Sequence, residues 1–270
     1  MPYLGNEVAP LVQALEGKEL KLDSDGDSSI TADTDDRVDV KVGGSDKVHV
    51  TSTGLGVGTS SPDGALHVKG ISDHGRIVLE SGGTSGANNN MFMQFHNNGG
   101  TEIAQIEVAE GASNEGQIVF KTGGTTTAMT IDKDGAVTNP LQPMFSADGS
   151  SSYVSYSDGD VLAFNNERFD IGGNYDTSTY TFTVPVTGKY FVAAHAITNN
   201  PFTGGIIIQH RNSSGTVLDF LRGYQVNGRN SIVSLIISCT ASDTLRVTAQ
   251  NAESFYLGSG YGRFSGFLVG

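Results

Sequence analysis

The first part of the chain alternates apolar and polar residues over short segments. Between residues 19 and 57, turns rich in aspartate and glycine separate KELKL, SSITA, RVDVKV and KVHVTS, a pattern typical of β-strands. Burying apolar surface stabilises by about 25 cal/mol per Å², whereas ordering the backbone costs roughly 1–2 kcal/mol per residue. Strands with so few apolar side chains cannot offset that cost alone. We therefore predict that residues 18–70 form a β shaft wound from several chains, with Val38, Val40 and Val42 in its core.

The next block, residues 71–140, also has a strand pattern throughout. RIVLES, MFMQFH, EIAQIEVA, QIVFKT and TAMTID are separated by segments rich in glycine and asparagine. These features predict a small antiparallel β domain. Met91, Met93 and Phe95 share one side of a strand, and we expect that side to belong to a core.

One short helix is predicted at the N-terminus, in PLVQALEG (residues 10–17). Proline suits its first position and glycine its end, and Leu11 and Leu15 lie one turn apart. A helix of this length does not persist alone in water, so it needs copies of itself or a socket on another protein. We predict that residues 1–17 attach the protein to a partner and that both leucines join a trimer core.

The last part of the chain, residues 141–270, has strands that are apolar on both sides, as in a sandwich. YTFTVPVTGKYFVAAHA predicts two strands interrupted between Pro185 and Gly188, and TLRVTAQ predicts another. The sequence finishes on FSGFLVG, which predicts a buried closing strand. We expect Phe267 to be buried there, so that its truncation strongly destabilises the protein.

This C-terminal part resembles the globular head of the first complement component, in the tumour-necrosis-factor-like jelly-roll superfamily. The resemblance implies a homotrimer whose last strand lies beside the threefold axis, with Phe264 and Phe267 in the trimer core. The collagen stalk of the animal relatives is missing here. The residues that carry the resemblance are Phe145, Phe164, Asn174, Tyr175, Asp176, Thr179, Phe182, Pro185, Gly188, Tyr190, Phe191, His195 and Phe264-Ser265-Gly266-Phe267-Leu268.

Two further segments resemble elements of phage tail fibres. GLGVGTSSPDGALHVKG (residues 54–70) is similar to the VGIGT-SP…LHV element of marine and other phages. AMTIDKDGAVTNP (residues 128–140) resembles their MRIDSSGNVGIGT element in its first half. The resemblance implies a structural protein of a virion, joined to another virion protein through its N-terminus.

The charge of the chain restricts its partners. Its net charge of −13 disfavours nucleic acid and anionic membrane surfaces, since both require a basic face. The apolar stretches are too short to span a membrane, and the N-terminus lacks the pattern of a secretory signal. The single cysteine, Cys239, lies in an apolar run, where a buried and unreactive thiol is expected.

No catalytic motif is found in a suitable context, and we expect the protein not to be an enzyme. Its histidines lack metal-ligand spacing. The acidic segment DSDGD (residues 23–27) is either a solvated turn or a weak site for a divalent cation, and no other cofactor is expected.

These observations predict a homotrimeric phage tail fibre that binds a glycan or protein of the host surface through its C-terminal tip. The candidate contacts lie in two loops and are Asn199, Phe202, Tyr256 and Tyr261; the two tyrosines either stack on sugars or pack within the loops. A capsid-attached head fibre, a depolymerising tailspike and a secreted complement-like lectin remain alternatives.

Overall fold

The computed structural model describes most of the chain as strands and loops. The described residues are 18–70, 75–80, 89–110, 116–200, 204–226 and 228–270. They contain no helix, and hence none that is long and apolar enough to cross a membrane. The predicted all-β class is confirmed; the helix predicted for residues 10–17 lies outside the described residues. The chain divides into two compact units, residues 1–80 and 81–270, and the four predicted domains stay predictions.

The described part of the first unit forms a six-stranded sheet in sequence order. Neighbouring strands are antiparallel, except for the last pair, which is parallel. The strands are β1 (Leu20–Lys21), β2 (Ser29–Thr31), β3 (Arg37–Val42), β4 (Ser45–Thr51), β5 (Leu55–Val57) and β6 (Leu66–Val68).

The register of this sheet aligns its apolar residues on one face. Val40 pairs with Ile30 on one side and with Val48 on the other, and Val38 pairs with Val50. Most of these side chains are exposed in the single chain. Val38 on β3, for example, is 41% exposed. We call this surface the apolar shaft face; its residues are Leu20, Ile30, Val38, Val40, Val48, Val50, Leu55, Val57, Leu66 and Val68.

The opposite face of the sheet is polar, and yet it is the buried one. Asp39 is only 2% exposed and pairs with His49 across the ladder. One carboxylate oxygen of Asp39 lies 2.6 Å from Nδ1 of His49, and the other accepts a hydrogen bond of 2.9 Å from Nε of Arg37. These contacts satisfy the hydrogen-bonding groups of the carboxylate within one chain. The polar face therefore needs no partner chain.

Two glycines of the segment 54–70 explain its unusual composition. A Cβ at Gly56 would lie 2.2 Å from the carbonyl oxygen of Thr59, and one at Gly54 would lie 2.3 Å from that of Gly64. No larger residue fits such a close approach, so the glycines allow the turn to fold back onto the edge of the sheet.

A second, five-stranded antiparallel sheet lies in the described part of residues 89–138. Its order is β11-β10-β9-β8-β7. The strands are β7 (Met91–His96), β8 (Glu102–Glu110), β9 (Gly116–Thr122), β10 (Thr126–Ile131) and β11 (Val137–Thr138).

The prediction of a strand in RIVLES is wrong for those of its residues that the structure describes. Residues 75–80 adopt no strand, and Ile77, Val78 and Leu79 are exposed. Their composition suits a strand, but no described strand pairs with them. A strand is stable only when its backbone groups bond to a neighbour.

The second sheet repeats the pattern of the first. Met93, Ile106 and Phe120 are aligned on one face, where Met93 and Phe95 remain exposed. The other face buries Glu107, whose carboxylate accepts hydrogen bonds from Asn90 and Gln105 and pairs with Lys121. We call the first surface the apolar middle face; its residues are Met91, Met93, Phe95, Ala104, Ile106, Val108, Ile118, Phe120, Met129 and Ile131.

The remaining strands build a sandwich of two antiparallel sheets. One sheet has the order β14-β12-β23-β17-β20, with β22 and β13 beside β17; the other has the order β19-β18-β21-β16-β15. β19 links the sheets through a short pairing with β20. The strands are β12 (Met144–Asp148), β13 (Val154–Tyr156), β14 (Asn166–Ile171), β15 (Tyr175–Asp176), β16 (Thr181–Thr183), β17 (Gly188–Thr198), β18 (Gly205–Arg211), β19 (Val217–Val226), β20 (Asn230–Cys239), β21 (Thr244–Gln250), β22 (Glu253–Tyr256) and β23 (Arg263–Leu268).

The core of this sandwich is aromatic at its centre. The ring of Phe145 stacks on Tyr175 and Phe182, with centroids 5.1 and 4.5 Å apart, and meets Phe264 edge to face at 4.8 Å. A Cβ at position 266 would lie 3.0 Å from the Phe145 ring, so Gly266 leaves room for this stack. The sandwich therefore has a hydrophobic core of its own, built within one chain.

The closing strand β23 contributes to two different surfaces. Phe264 points into the sandwich and is 0% exposed, whereas Phe267 points outward and is 43% exposed. Residues an odd number of positions apart on a strand face opposite sides, which is the physical reason. In the single chain, therefore, Phe267 is not enclosed and Phe264 belongs to the core of its own sandwich. Whether either residue contributes to a core between chains stays a prediction.

The two phenylalanines give a matched test of this placement. We expect Phe264→Ala to lower the free energy of unfolding by about 3–5 kcal/mol, the range for a buried aromatic residue. Phe267→Ala should cost the isolated sandwich about 1 kcal/mol or less, since its ring already contacts water. Guanidinium unfolding of a fragment containing residues 144–270 measures both. Equal losses would contradict the described orientation of β23.

Candidate binding site at the distal end of the jelly roll

The sandwich has two ends, which differ in what they expose. The chain enters the sandwich at residue 144, at the end where the amide of Leu268 donates a hydrogen bond to the carbonyl of Pro143. At the other end, the amide of Gly149 donates to the carbonyl of Leu257 over 2.7 Å. We call the second one the distal end. It gathers the loops after β12, β17 and β22, so it is the end at which loop side chains are free to contact another molecule.

Three tyrosines lie in a row at the distal end. Tyr256 is half-buried and central, and the rings of Tyr153 and Tyr261 meet it edge to face. The centroid distances are 5.6 Å to Tyr153 and 5.3 Å to Tyr261, with interplanar angles of 72° and 83°. The outer rings are 44% and 53% exposed. We call these residues the tyrosine row; it forms a surface of aromatic rings that remains open to solvent.

The backbone around Tyr256 is held by its neighbours. Phe255 and Leu257 are both buried in the core, so the side chain between them must face outward. β22 pairs with β13 on one side, where Val154 lies opposite Phe255, and with the end of β17 on the other. The central ring is therefore fixed by strands rather than by a free loop.

Close packing also fixes the outer rings. A Cβ at Gly258 would lie 2.5 Å from Oγ of Ser151, and a Cβ at Gly262 would lie 2.4 Å from the backbone of Leu257. The turn between these glycines is closed by hydrogen bonds from the amides of Tyr261 and Gly262 to the carbonyl of Gly258, at 3.0 and 2.9 Å. Tyr261 thus sits on a compact turn.

Uncharged polar groups lie next to the tyrosines in the sequence. Oγ of Ser150 and Oγ of Ser152 are 2.9 Å apart before Tyr153, and Oγ of Ser155 lies 2.8 Å from Oγ of Ser254. Asn199 is exposed, and its amide donates to the carbonyl of Ser254 over 2.9 Å. The distal end combines ring faces with hydroxyl and amide groups, the composition of many ligand-binding surfaces.

The predicted contact residues can be placed on this geometry. The structure brings Asn199, Tyr256 and Tyr261 to the same end, and Phe202 lies outside the described residues. Of the two predicted roles for the tyrosines, packing against each other is observed, and it leaves the outer rings exposed. Tyr153 was missed by the sequence; its position in a serine-rich segment before a short strand was the available signal.

The predicted shaft residues are placed as follows. Val38 and Val42 are exposed on β3 and Val40 is half-buried between its cross-strand neighbours. Leu11 and Leu15 lie outside the described residues. Whether the valines form a core between chains stays a prediction.

Several buried ionisable groups outside the tyrosine row are paired within the chain. Burial raises the pKa of Asp39, but hydrogen bonds from Arg37 and His49 lower that pKa by more, so the carboxylate is held charged. In the sandwich, Nε2 of His210 lies 2.7 Å from the carboxylate of Asp243, and both side chains are buried. Such internal pairs are typical of structural networks.

The thiol of Cys239 has the environment expected from its apolar run. It is buried in the sandwich core, and burial raises the pKa of the thiol to about 12. Because the thiolate is the reactive species, this side chain is a packing residue at neutral pH.

One group of carboxylates has the composition of a cation site. The candidate ligand atoms of Asp23, Asp25 and Asp27 all lie within 4.8 Å of one another. Oδ1 of Asp23 accepts hydrogen bonds from the amides of Gly26 and Ser28, at 3.0 and 3.3 Å, which lower the pKa of its carboxyl together with the Ser28 side chain. The turn alone accounts for this cluster.

Comparison with known proteins bears on the sandwich. Residues 144–269 match the family model of the C1q domain, and they therefore form a C1q/TNF-like jelly-roll domain. The predicted jelly roll is confirmed for these residues. No curated protein matches the chain.

Several solved structures are similar to this chain at low identity. The globular domain of zebrafish complement 1qA protein is 16% identical, with a TM-score of 0.37, and the alignment covers 48% of this chain and 98% of that one. Eiger TNF from S. frugiperda is 11% identical (TM-score 0.39; 48% and 94% covered). Murine APRIL is 12% identical (TM-score 0.39; 47% and 99% covered).

The compact turn that carries Tyr261 can be tested through its glycine. We expect Gly262→Ala to destabilise the protein by about 1–3 kcal/mol, because the added Cβ overlaps the backbone of Leu257. The near-ultraviolet circular dichroism of the tyrosines should change with it. Gly116→Ala is the control, since its Cβ meets no atom within 4 Å. If both variants melt alike and keep the native spectrum, the turn is not packed as described.

Proposed function

We propose that this protein is a homotrimeric tail fibre of a phage, whose C-terminal tip binds the host surface. In this proposal residues 1–17 join the fibre to the particle and residues 141–270 form the tip. The protein acts by binding and catalyses no reaction. C1q/TNF-like domains are often trimeric and are involved in binding, which supports the general form of this function.

The observation that carries the proposal is the inverted burial of the two N-terminal sheets. In both, the chain covers the polar face and leaves the apolar one in water, as the exposure of Val38 and Met93 illustrates. Apolar surface of this extent is unfavourable in solution, so further copies of the chain are expected to cover it. Three copies of the chain could cover each of these faces in a core between chains.

The jelly roll offers a third surface of the same kind. Phe191 pairs with Phe267 on one side and with Ile236 on the other, and their side chains lie on the outward face of the sheet. Phe169, Ile232, Ile236 and Phe267 are exposed there. Domains of this class typically form homotrimers, and this face is the one we assign to contacts between chains.

The assignment to a phage rests on sequence resemblance. The segments 54–70 and 128–140 resemble elements of phage tail fibres, and the first has glycines that its tight turn requires. A trimer presents three equal distal ends on one particle, so several weak contacts combine into firm attachment.

Two other functions fit the same architecture. A capsid-attached fibre would use the same trimer and tip, and labelling the protein on particles by electron microscopy separates it from a tail fibre. A secreted complement-like lectin would be absent from particles altogether.

The proposed attachment can be measured with purified protein. We expect the full-length trimer to bind the bacterium that the parent phage infects and to block phage adsorption in a concentration-dependent manner, because both compete for one surface structure. Protein heated until the tip unfolds is the control. Normal adsorption at saturating protein would contradict the proposal.

A charged substitution on the apolar shaft face tests whether the protein is a trimer. We expect Val38→Asp to shift the full-length protein toward smaller or aggregated species in sedimentation velocity, since a carboxylate in a core between chains is strongly unfavourable. Ser52→Asp, in an exposed turn of the same sheet, is the control and should stay trimeric. A Val38→Asp trimer as stable as the wild type would show that this face is open to water.

A further inference from the structure

We propose that the tyrosine row binds neutral carbohydrate, with the outer rings of Tyr153 and Tyr261 stacking on sugar units of the ligand. This inference rests on the proposed function, because it names the ligand class of the tip. It begins from the exposure of the two outer rings, each of which also contacts Tyr256.

The chemistry of the surface selects the ligand class. A pyranose ring presents C–H groups on its faces and hydroxyls at its rim. A tyrosine ring offers an apolar face of similar size and a hydroxyl at its edge. The outer rings meet Tyr256 at steep angles instead of stacking on it, and Tyr153 and Tyr261 remain 44% and 53% exposed, so ring surface is open to a ligand. Adjoining serine hydroxyls supply donors and acceptors for the rim of a sugar.

The charge of the surface narrows the class further. The tyrosine row and its neighbours Ser150, Ser152, Ser254 and Asn199 carry no charged side chain. The adjacent Glu253 is buried, and its carboxylate accepts hydrogen bonds from Asn200 and from the amide of Ser254. The protein as a whole has a net charge of −13. An acidic glycan would be repelled by that net charge and would find no cation among these residues. A neutral oligosaccharide avoids both costs.

The rigidity of the row favours binding as well. Phe255 and Leu257 fix the central tyrosine, and the packing at Gly258 and Gly262 fixes the flanking segments. Little conformational entropy is lost when such pre-ordered rings take up a ligand. Each site needs only modest affinity, since a trimer would engage a polysaccharide at three points.

The experiment uses the full-length protein and two panels of immobilised oligosaccharides of three to six units. One panel contains neutral hexoses, and the other contains the same backbones with uronic or sialic acids. Binding is measured by biolayer interferometry, and a neutral hit is then titrated by calorimetry. Wild type should bind members of the neutral panel and prefer them to their acidic counterparts.

Variants assign the binding to the row. Tyr261→Ala and Tyr153→Ala should each weaken binding at least about tenfold, which corresponds to about 1.4 kcal/mol. Tyr261→Phe keeps the ring and should stay within about threefold of wild type. Tyr224→Ala removes another exposed tyrosine, on β19, and should bind like wild type. Sedimentation and thermal melting confirm that each variant remains folded and trimeric.

The outcomes distinguish this inference from the proposed attachment function on which it rests. The inference is overturned if the neutral panel is not bound, if acidic members are preferred, or if the alanine variants bind as wild type does. When the protein still blocks phage adsorption in those cases, attachment stands and the ligand is of another class. When adsorption is also unaffected, both proposals fail.

Discussion

The two N-terminal sheets share one constraint: each has an apolar face that its own chain leaves in water. The reason lies in the other face, where charged residues satisfy one another. Asp39 is bonded by Arg37 and His49, and Glu107 is paired with Lys121. A sheet closed on its polar side needs a second surface against which to bury its apolar side chains. If further copies of the chain supply that surface, as we propose, folding and association of this part of the chain are linked and its stability depends on protein concentration.

The jelly roll is organised differently, because its two sheets cover each other. The stack of Phe145, Tyr175, Phe182 and Phe264 needs no second chain. This division fits the composition: only 37% of the residues are hydrophobic, which is lean for one compact globule and agrees with the proposal that further copies cover part of the apolar surface. A domain with its own core can present a binding surface whose geometry is independent of the shaft.

The distal end illustrates how such a core supports a surface. Phe255 and Leu257 are core residues, and their burial directs the side chain of Tyr256 outward. The same alternation that fills the sandwich thereby orients the aromatic surface. Three copies of that surface on one trimer would turn a shallow and individually weak site into an effective one.

The sequence by itself determined the class of fold and most of the strands, because alternation with a period of two is visible in one dimension. It also placed Cys239 in the interior, since its apolar run is unambiguous. The sequence did not determine which strands pair with one another. RIVLES has the composition of a strand but pairs with no described neighbour, and Tyr153 joins Tyr256 only across the ladder between β13 and β22.

The closing strand shows most clearly what the sequence determined and what it left open. Alternation required that Phe264 and Phe267 face opposite sides, but it did not tell which side was inside. That choice was made by the register of β23 against β12 and β17, which sets Phe264 beside Phe145 and Phe267 beside Phe191. Local patterning follows from the covalent order of the residues, whereas burial depends on which surfaces meet, and only the tertiary structure decides that.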